Sequence, residues 1–246
     1  MDRLIYTAVS GMADSMIRQG AIASNMANAQ TIGFRAETFD STPVAVTSPT
    51  SLDGRTMVTT GVLGADMSAG AIVSTGRPLD IAMEGEIMLA VQAADGSEAY
   101  TRRGDLSVSP GGALVNGDGR PVMGSGGPIT VPPGAEVSIG RDGSVLLADP
   151  ATPELPPQAV DRIKLANWQG SQTVKGTDGL FRVRDGGVLP ADEEARVQTG
   201  ALEQSNVDLT RVLVEMVQAQ RLFDMRTKLV ATAKELDEGG ATLMRI

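Results

Sequence analysis

The sequence predicts an α+β fold with three parts: paired N- and C-terminal α-helices in a coiled-coil-like unit, an extended connector, and a central antiparallel β-rich domain. Apolar residues recur at helical spacing at both ends of the chain. Between the ends, Asp-Gly turn signals separate short β-rich runs. We therefore assign residues 1–34 with 203–246 to a helical domain, 35–75 to the connector and 76–202 to the β domain.

An apolar seam indicates the first helix. Its members follow one another at alternating spacings of four and three residues, like the a and d positions of a heptad: Ile5, Val9, Met12, Met16, Gln19, Ala23 and Met26. Gln19 is the polar member of this seam. Because such an apolar helix is poorly suited to solvent on all sides, we expect it to pack against the rest of its own chain.

The last helix, of about 30 residues, has a matching stripe. Two series repeat every seven residues within it: Met216, Phe223 and Val230, and Leu222, Leu229, Leu236 and Leu243. Ser205 is the expected N-cap with Asp208 as its capping-box partner, and Gly239-Gly240 can end or interrupt the helix. Each seam holds only about three to four heptads, so intermolecular packing is a natural source of stability for the pair.

The middle of the chain reads as strands and turns. Asp-Gly occurs at 53–54, 95–96, 118–119, 142–143, 178–179 and 185–186. The predicted strands are 79–83, 86–93, 98–102, 106–109, 129–131, 137–139, 145–148, 162–166 and 180–183. Residues 35–75 are rich in Ser, Thr, Val and Gly with little helical period, which suggests the connector. The Pro-rich stretch 149–158 is expected to be a surface loop.

Composition and charge exclude several classes of function. The 246 residues include no histidine and no cysteine, which rules out disulfides, thiolate nucleophiles, histidine proton transfer and Cys/His zinc sites within this sequence. The formal net charge of −9 argues against nucleic acid as a partner. Most of it lies in residues 33–199, which hold 21 acidic and 13 basic residues. No apolar run approaches the roughly 18 residues of a membrane helix, so we expect no membrane insertion.

Three local patterns could suggest chemistry, and each has a simpler interpretation. Glu84 and Glu86 flank Gly85 and could form a carboxylate pair, but exposed charges beside a turn are the simpler interpretation. The "GSGG" at 124–127 lacks the Lys-Ser/Thr of a phosphate loop, and the "NGDG" at 116–119 lacks the spaced ligands of a calcium loop. We therefore predict no catalytic, cofactor-binding or metal-binding residue, and no enzyme.

Both ends of the sequence resemble the flagellar rod and hook proteins. The stretch "SNMANAQTIGFRAE" matches the Asn-rich pattern that follows the first helix of that family, through Asn25, Ala27, Asn28, Thr31, Gly33 and Phe34. The last part of the chain matches through Leu202, Glu203, Ser205, Asn206, Val207, Gln220 and Arg221. In the middle, "EAYTRRGDLSVS" resembles the family's β core, although "GEIMLAVQ" stands where relatives often have Gly-Phe-Phe.

The resemblance implies a structural subunit of the bacterial flagellar basal-body rod, the drive shaft that crosses the periplasm. Its partners would be copies of itself, other flagellar rod proteins and the flagellar type III export apparatus. The resemblance also implies export without a cleaved signal peptide, consistent with the lack of a signal-like apolar block in the first 30 residues. The terminal helices would line the inner tube around the export channel, with the β domain outside.

Alternatives remain within and outside that family. Within the family, the proximal rod subunits are the most similar in the start of the chain, in length and in the stretch "GPITVPPGAEVSIGRDGSV". The distal rod subunits are the alternative, and hook protein is less similar than either. Outside the family, a secreted β-rich adhesin or carbohydrate-binding module would not need two terminal seams. A cell-wall-acting or cell-wall-binding protein is the other alternative, but as an enzyme it lacks a credible acid/base pair.

The Asn-rich stretch is expected to be a geometric joint. Asn25 and Asn28 would cap the carbonyl groups at the end of the first helix, Thr31 and Gly33 would make the turn with a positive φ at the glycine, and Phe34 would anchor the connector. The full predicted assembly interface comprises Ile5, Val9, Met12, Met16, Met26, Asn25, Asn28, Thr31, Gly33, Phe34, Ser205, Asn206, Val207, Met216, Gln220, Arg221, Phe223 and Val230.

Overall fold

Long helices lie at both ends of the chain, as the sequence predicts. The computed structural model describes residues 2–46, 55–132, 134–148, 156–184 and 186–243, and the side chains of 9–39, 64–236, 238 and 239 within these ranges. The helices are α1 (Asp2–Ala27) and α2 (Leu209–Leu243). Among the described residues, no helix combines the length and the apolar character that crossing a membrane requires.

Strands fill the sequence between the two helices, and every pair with a described register is antiparallel. They are β1 (Glu37–Val46), β2 (Arg55–Ala65), β3 (Ile72–Ser74), β4 (Ile81–Met83), β5 (Ile87–Gln92), β6 (Glu98–Thr101), β7 (Leu106–Val108), β8 (Leu114–Asn116), β9 (Glu136–Ile139), β10 (Ser144–Ala148), β11 (Gln158–Arg162), β12 (Leu165–Asn167), β13 (Thr173–Lys175), β14 (Phe181–Val183), β15 (Val197–Thr199) and β16 (Ala201–Glu203).

The chain folds into two compact units. Unit 1 comprises Met1–Asn28, Glu37–Gly64 and Val207–Ile246, and unit 2 comprises Ala29–Ala36 and Ala65–Asn206. This division differs from the boundaries expected from the sequence in two respects. It places residues 29–36 and 203–206 with the central strands, and it places β1 and β2 with the helices.

In unit 1, α1 and α2 contact each other through a small apolar cluster. Ile22 of α1 is buried with Val212 and Ala219 of α2. Partly buried apolar side chains pack around these three: Met26, Phe39, Val207 and Met216. The helices therefore share a core of few residues, to which α1 contributes Ile22 and Met26, both in its C-terminal half.

A second contact between the helices is polar and depends on small residues. The Nη1 atom of Arg226 donates to the carbonyl of Gly11 and to the hydroxyl of Ser15, and it lies 3.5 Å from a carboxylate oxygen of Asp14. A Cβ at Gly11 would lie 3.4 Å from the Arg226 guanidinium carbon, which shows how closely the arginine approaches α1. Because Gly11 and Ser15 are small, this face of α1 admits a long side chain from α2.

Two members of the predicted α1 seam, Val9 and Met16, do not lie on the face that contacts α2, whereas Met26 at its end packs there. Val9 and Met16 are 53% and 63% exposed, whereas Ser15 and Ile22 are buried. At 100° per residue, the two faces are about a quarter turn apart. Near the end of α1 the seam does reach α2, since Gln19 Nε2 donates to the carbonyl of Ala219 at 3.3 Å. Ile5 lies outside the residues whose side chains are described.

The start and end of α2 also differ from expectation. The helix begins at Leu209, and the Asp208 carboxylate accepts hydrogen bonds from the amides of Thr210 and Arg211 at 2.9 and 3.2 Å. Asp208 is therefore the N-cap in place of Ser205, because its oxygen reaches the free amides of the first turn. The helix continues through Gly239 to Leu243, since helical hydrogen bonding tolerates the two glycines.

Unit 2 is a β structure with a continuous apolar core. Its largest sheet has the strand order β12-β5-β6-β14-β13, and a three-stranded sheet has the order β11-β10-β9. Along β5, Leu89 and Val91 face the main core while Met88 and Ala90 face a second cluster with Tyr100, as expected where alternate side chains point to opposite faces. The main core also contains Ile81, Leu106, Leu114, Val122, Ile129, Val145, Ile163 and Leu165.

The predicted connector contains strands. Between residues 35 and 75 the structure has β1 and β2, which form a two-stranded sheet, and β3, which pairs with β16. Two runs rich in Thr and Val flank Asp53-Gly54, and paired strands satisfy backbone groups that an extended connector would leave to solvent. Residues 47–54 between β1 and β2 are outside the described part, as is most of the Pro-rich stretch 149–158.

Candidate functional site

A short segment, residues 29–36, leaves the end of α1 and lies on unit 2; we call it the strap. Gly33 has φ +66°, as the sequence predicts, and its amide donates to the carbonyl of Glu203 at 2.8 Å. A Cβ at this position would lie 2.3 Å from the carbonyl oxygen of Arg102. Both the backbone conformation and the space available therefore require glycine.

Arg35 of the strap joins Arg102 and Glu203 in a buried ion cluster; we call it the Glu203 cluster. These side chains are 3%, 3% and 1% exposed. Arg35 Nη2 lies 2.8 Å from Glu203 Oε1, and Arg102 Nε donates to Glu203 Oε2 at 2.8 Å. One carboxylate thus neutralises two guanidinium groups only in part. Burial lowers the pKa of the Arg35 guanidinium, while the charge of Glu203 acts in the opposite direction.

The two arginines of the cluster are unequally satisfied. Arg102 also donates to the carbonyl groups of Met83, Gly85 and Ile87 at 2.9, 2.8 and 2.5 Å. Arg35 donates to the carbonyl of Ser68, and its buried Nε has no hydrogen-bond partner among the described residues. Arg102 therefore joins β4, β5 and β16, whereas Arg35 is the less completely bonded member.

Asn206 forms hydrogen bonds with two other segments of unit 2, the strap and residues 65–70, which adjoin unit 1 along the chain. Its Oδ1 accepts a hydrogen bond from the amide of Ala36 at 2.7 Å. Its Nδ2 donates to the carbonyl groups of Asp66 and Ser68 at 2.8 and 3.0 Å. The strap, residues 65–70 and the end of unit 2 are thus joined through one side-chain amide.

Within unit 1, the two predicted asparagines have different roles. Asn28 Nδ2 donates to the carbonyl of Ser24 at 2.9 Å, which caps the end of α1 as expected. Asn25 does not cap the helix. It accepts from the amide of Glu37 at 2.7 Å and donates to the carbonyl of the same residue at 3.0 Å, as a neighbouring strand would. Asn25 therefore holds the start of β1 beside α1.

Both helices also carry apolar side chains that nothing in the described chain covers. On α1 these include Val9, Met16 and Ile17. On α2 the exposed ones are Leu209, Leu213, Val214, Val217, Met225, Leu229 and Leu236. An isolated soluble subunit gains nothing from such a surface, so it is a candidate contact for other chains.

The other predicted interface residues lie in several environments. Met12, Thr31, Ser205, Met216, Phe223 and Val230 are half-buried, while Gln220 and Arg221 are exposed. Phe34 is half-buried, with the ammonium of Lys175 3.5 Å from the centre of its ring. The interface prediction omitted Arg35, Arg102, Glu203 and Arg226. The sequence offered a signal for two of them: Arg35 is a positive charge directly after the Gly33-Phe34 pair, and Glu203 is an acid shortly before Asn206.

Unit 2 also contains a cavity of about 550 Å³ beside the turn at Gly124–Gly127. Two of its charged lining residues form an ion pair, since the Lys164 ammonium lies 2.7 Å from a carboxylate oxygen of Glu98. Glu84 and Glu86 are exposed. Among the described residues, no group of three or more carboxylates is arranged to hold a metal ion.

Three family models match the chain. "Flagella basal body rod protein" matches residues 5–35, "Flagellar hook protein FlgE/F/G D1 domain" residues 82–147, and "Flagellar basal body rod FlgEFG protein C-terminal" residues 198–243. The first and third contain the strap residue Gly33 and the acid Glu203, respectively.

Curated relatives match over nearly the whole chain. The flagellar basal-body rod protein FlgF of Salmonella typhimurium is 41% identical over 98% of this chain and 97% of its own length. FlgF of Escherichia coli is 42% identical over 96% of this chain and 95% of its own. The rod protein FlgG of Bacillus subtilis is 32% identical over 96% of this chain. The chain belongs to the family of flagellar basal-body rod proteins.

Proposed function

We propose that this chain is a structural subunit of the proximal part of the flagellar rod. The observation that carries the proposal is the identity of 41–42% to two FlgF proteins over nearly the full length of each chain. Identity to the FlgG relative is lower, at 32%. A distal rod subunit is the alternative within the family.

The subunit assembles with copies of itself and with other rod proteins through α1 and α2. The exposed apolar side chains of both helices support this, because they would be removed from water by a neighbouring subunit. In the assembled rod the helices extend their contact into a coiled-coil-like packing and line the inner tube, with the β domain outside. Among the predicted interface residues, the exposed ones contribute contacts between subunits: Val9, Met16, Gln220 and Arg221.

The subunit reaches its place in the periplasm through the flagellar type III export apparatus. It acts by its shape and its contacts and catalyses no reaction. In support, the sequence offers no histidine or cysteine, and Lys164 and Glu98, which line the cavity in unit 2, form an ion pair.

The exposed seam of α1 provides the test of assembly. Met16→Asp is compared with Met16→Leu in cells whose own copy of the gene has been deleted; position 16 is exposed on α1. We expect Met16→Asp to abolish swimming in soft agar and to be missing from purified basal bodies. Met16→Leu, which keeps the apolar surface, should support both. Normal swimming with Met16→Asp would contradict the assigned contact surface.

A second experiment tests the position in the rod. A peptide tag inserted in the exposed turn at Asp95-Gly96 leaves both helices unchanged. We expect electron microscopy of basal bodies from motile tagged cells to place the tag at the proximal end of the rod. A tag at the distal end would support the alternative, and a tag outside the rod would contradict the function itself.

A further inference from the structure

We propose that the strap is a releasable segment: it can leave unit 2 while the strands of that unit remain folded. The proposal concerns the purified chain and does not depend on the proposed function. It rests on three features of the strap, namely its lack of apolar anchoring, the incomplete bonding of Arg35, and the polar character of its bonds to the rest of unit 2.

The first feature is how little of the strap is held by apolar packing. None of residues 29–36 belongs to the apolar clusters of the described part of the chain. The neighbouring segment differs, because Ala65 and Met67 pack against the cluster that contains Met88 and Tyr100. Residues 65–70 are therefore fastened to the core, whereas the strap lies over it.

The second feature is the bonding of Arg35. Its guanidinium is buried with Nε unpaired among the described residues, so its burial is only partly offset by hydrogen bonds. If Arg35 leaves, Glu203 still receives hydrogen bonds from Arg102 and from the amide of Gly70 at 2.9 Å. The core ion pair of Arg102 and Glu203 thus survives the departure of the strap.

The third feature is that the bonds of the strap to the rest of unit 2 are polar. They include the amide of Gly33 to Glu203, the amide of Ala36 to Asn206, and the Lys175 ammonium to the carbonyl of Arg35 at 2.8 Å. The amides of Asp66 and Asn206 also donate to the carbonyl groups of Ala36 and Phe34, at 2.7 and 3.3 Å. The side chains of Lys175 and Asn206 are half-buried, so water can reach them when the strap opens. Local opening of this kind costs less free energy than global unfolding.

Opening would have a specific consequence for the chain. The strap is the segment that joins α1 to β1, so its release frees that connection from unit 2 without breaking β4, β5 or β16. A subunit with a releasable strap can change the path of its N-terminal helix while keeping its β fold. Arg102 and Glu203 form the permanent part of the cluster and Arg35 the detachable part.

Amide hydrogen exchange of the purified chain tests the proposal. The amide of Ala36 reports on the strap, and the amides of Ala90 and Val122 report on the core. In the unmodified chain we expect Ala36 to exchange at least about tenfold faster than the two core amides. Equal protection of all three amides would overturn the proposal.

Two substitutions distinguish the exchange rate of the strap amide from the exchange rates of the core amides. Gly33→Ala puts a methyl group against the backbone of Arg102 and should raise the Ala36 exchange rate by about tenfold or more, leaving Ala90 and Val122 unchanged. Gly20→Ala, with open space around it in α1, is the matched control and should change none of these rates. Equal acceleration of the core amides by Gly33→Ala would show that the strap is an integral part of the fold.

The two arginines give an independent comparison. Arg35→Met should accelerate exchange at Ala36 alone, whereas Arg102→Met should accelerate Ala36 and the core amides together. Arg35→Met also serves if Gly33→Ala does not fold. If both arginine variants destabilise the core to the same degree, the strap is not separately releasable and the proposal is wrong.

Discussion

Unit 2 buries its apolar side chains within itself, whereas the helices of unit 1 leave many of theirs in water. Leu89, Val91 and Leu114 of unit 2 are fully buried. On the helices, Met16 and Leu229 are 63% and 60% exposed. Unit 2 therefore has its own source of stability, while unit 1 offers apolar area that only another chain can cover. The same chain thus holds one part built to fold alone and one part built to associate.

The two units also use charged groups differently. Unit 2 encloses the Glu203 cluster, in which Glu203 is the counter-charge of two buried guanidinium groups. Unit 1 places Arg226 at the boundary between two helices, 24% exposed and bonded to small residues of α1. Glu203 consequently stabilises the fold of unit 2, and Arg226 holds the two helices of unit 1 in alignment. Four substitutions test that contrast.

Glu203→Ala should have the largest effect, because it leaves Arg35 and Arg102 buried without a counter-charge. We expect unit 2 to lose about 3–5 kcal/mol of stability, a large part of the total for a domain. Chemical denaturation followed by circular dichroism measures the loss. Glu193→Ala, at an exposed position, is the control, and an equal shift in the two variants would contradict a structural role for the cluster.

Phe223→Asp should stop incorporation into the rod. Phe223 is half-buried on α2, and a carboxylate in an apolar contact costs several kcal/mol. We expect the mutant cells not to swim, while calorimetry of the purified protein shows an unchanged transition for unit 2. Thr232→Asp, exposed on the same helix, should permit swimming. Loss of the unit 2 transition in Phe223→Asp would mean that α2 belongs to the core of that unit.

Arg226→Met should loosen the helix pair without affecting unit 2. It removes the hydrogen bonds to Gly11 and Ser15, worth about 1–3 kcal/mol for a charged donor. Faster amide exchange in α1, with unchanged exchange in β5, is the expected result. Lys228→Met, at an exposed position of α2, is the control and should leave α1 unchanged.

Asp208→Ala should have the smallest effect, about 1 kcal/mol on the stability of α2. The reason is the loss of the acceptor for the amides of Thr210 and Arg211. Thermal loss of helical circular dichroism measures it, with Asp224→Ala in the middle of the helix as control. A larger loss in Ser205→Ala than in Asp208→Ala would restore the capping box predicted from the sequence.

Local patterns in the sequence predicted both helices and most strands of unit 2. The strands that they missed are β1, β2, β3, β8, β13, β15 and β16. Helical spacing placed α1 and α2, and alternation between turn signals placed most strands of unit 2, because these features depend on neighbouring residues. The Gly33 turn was predictable for the same reason. The pairing of β1 with β2 was missed, since strand pairing depends on a partner that the local pattern does not specify.

Spacing and residue type in the sequence predicted helices at both ends, antiparallel strands between them and the positive φ of Gly33, while the resemblance of its motifs to rod proteins indicated the family. The tertiary structure set which face of α1 meets α2, because small residues and the reach of Arg226 outweighed the regular apolar seam. It likewise joined Arg35, Arg102 and Glu203, whose positions in the chain are 67 and 101 residues apart. No local pattern indicates such a meeting, since burial of a charge is favourable only where distant segments supply its partners.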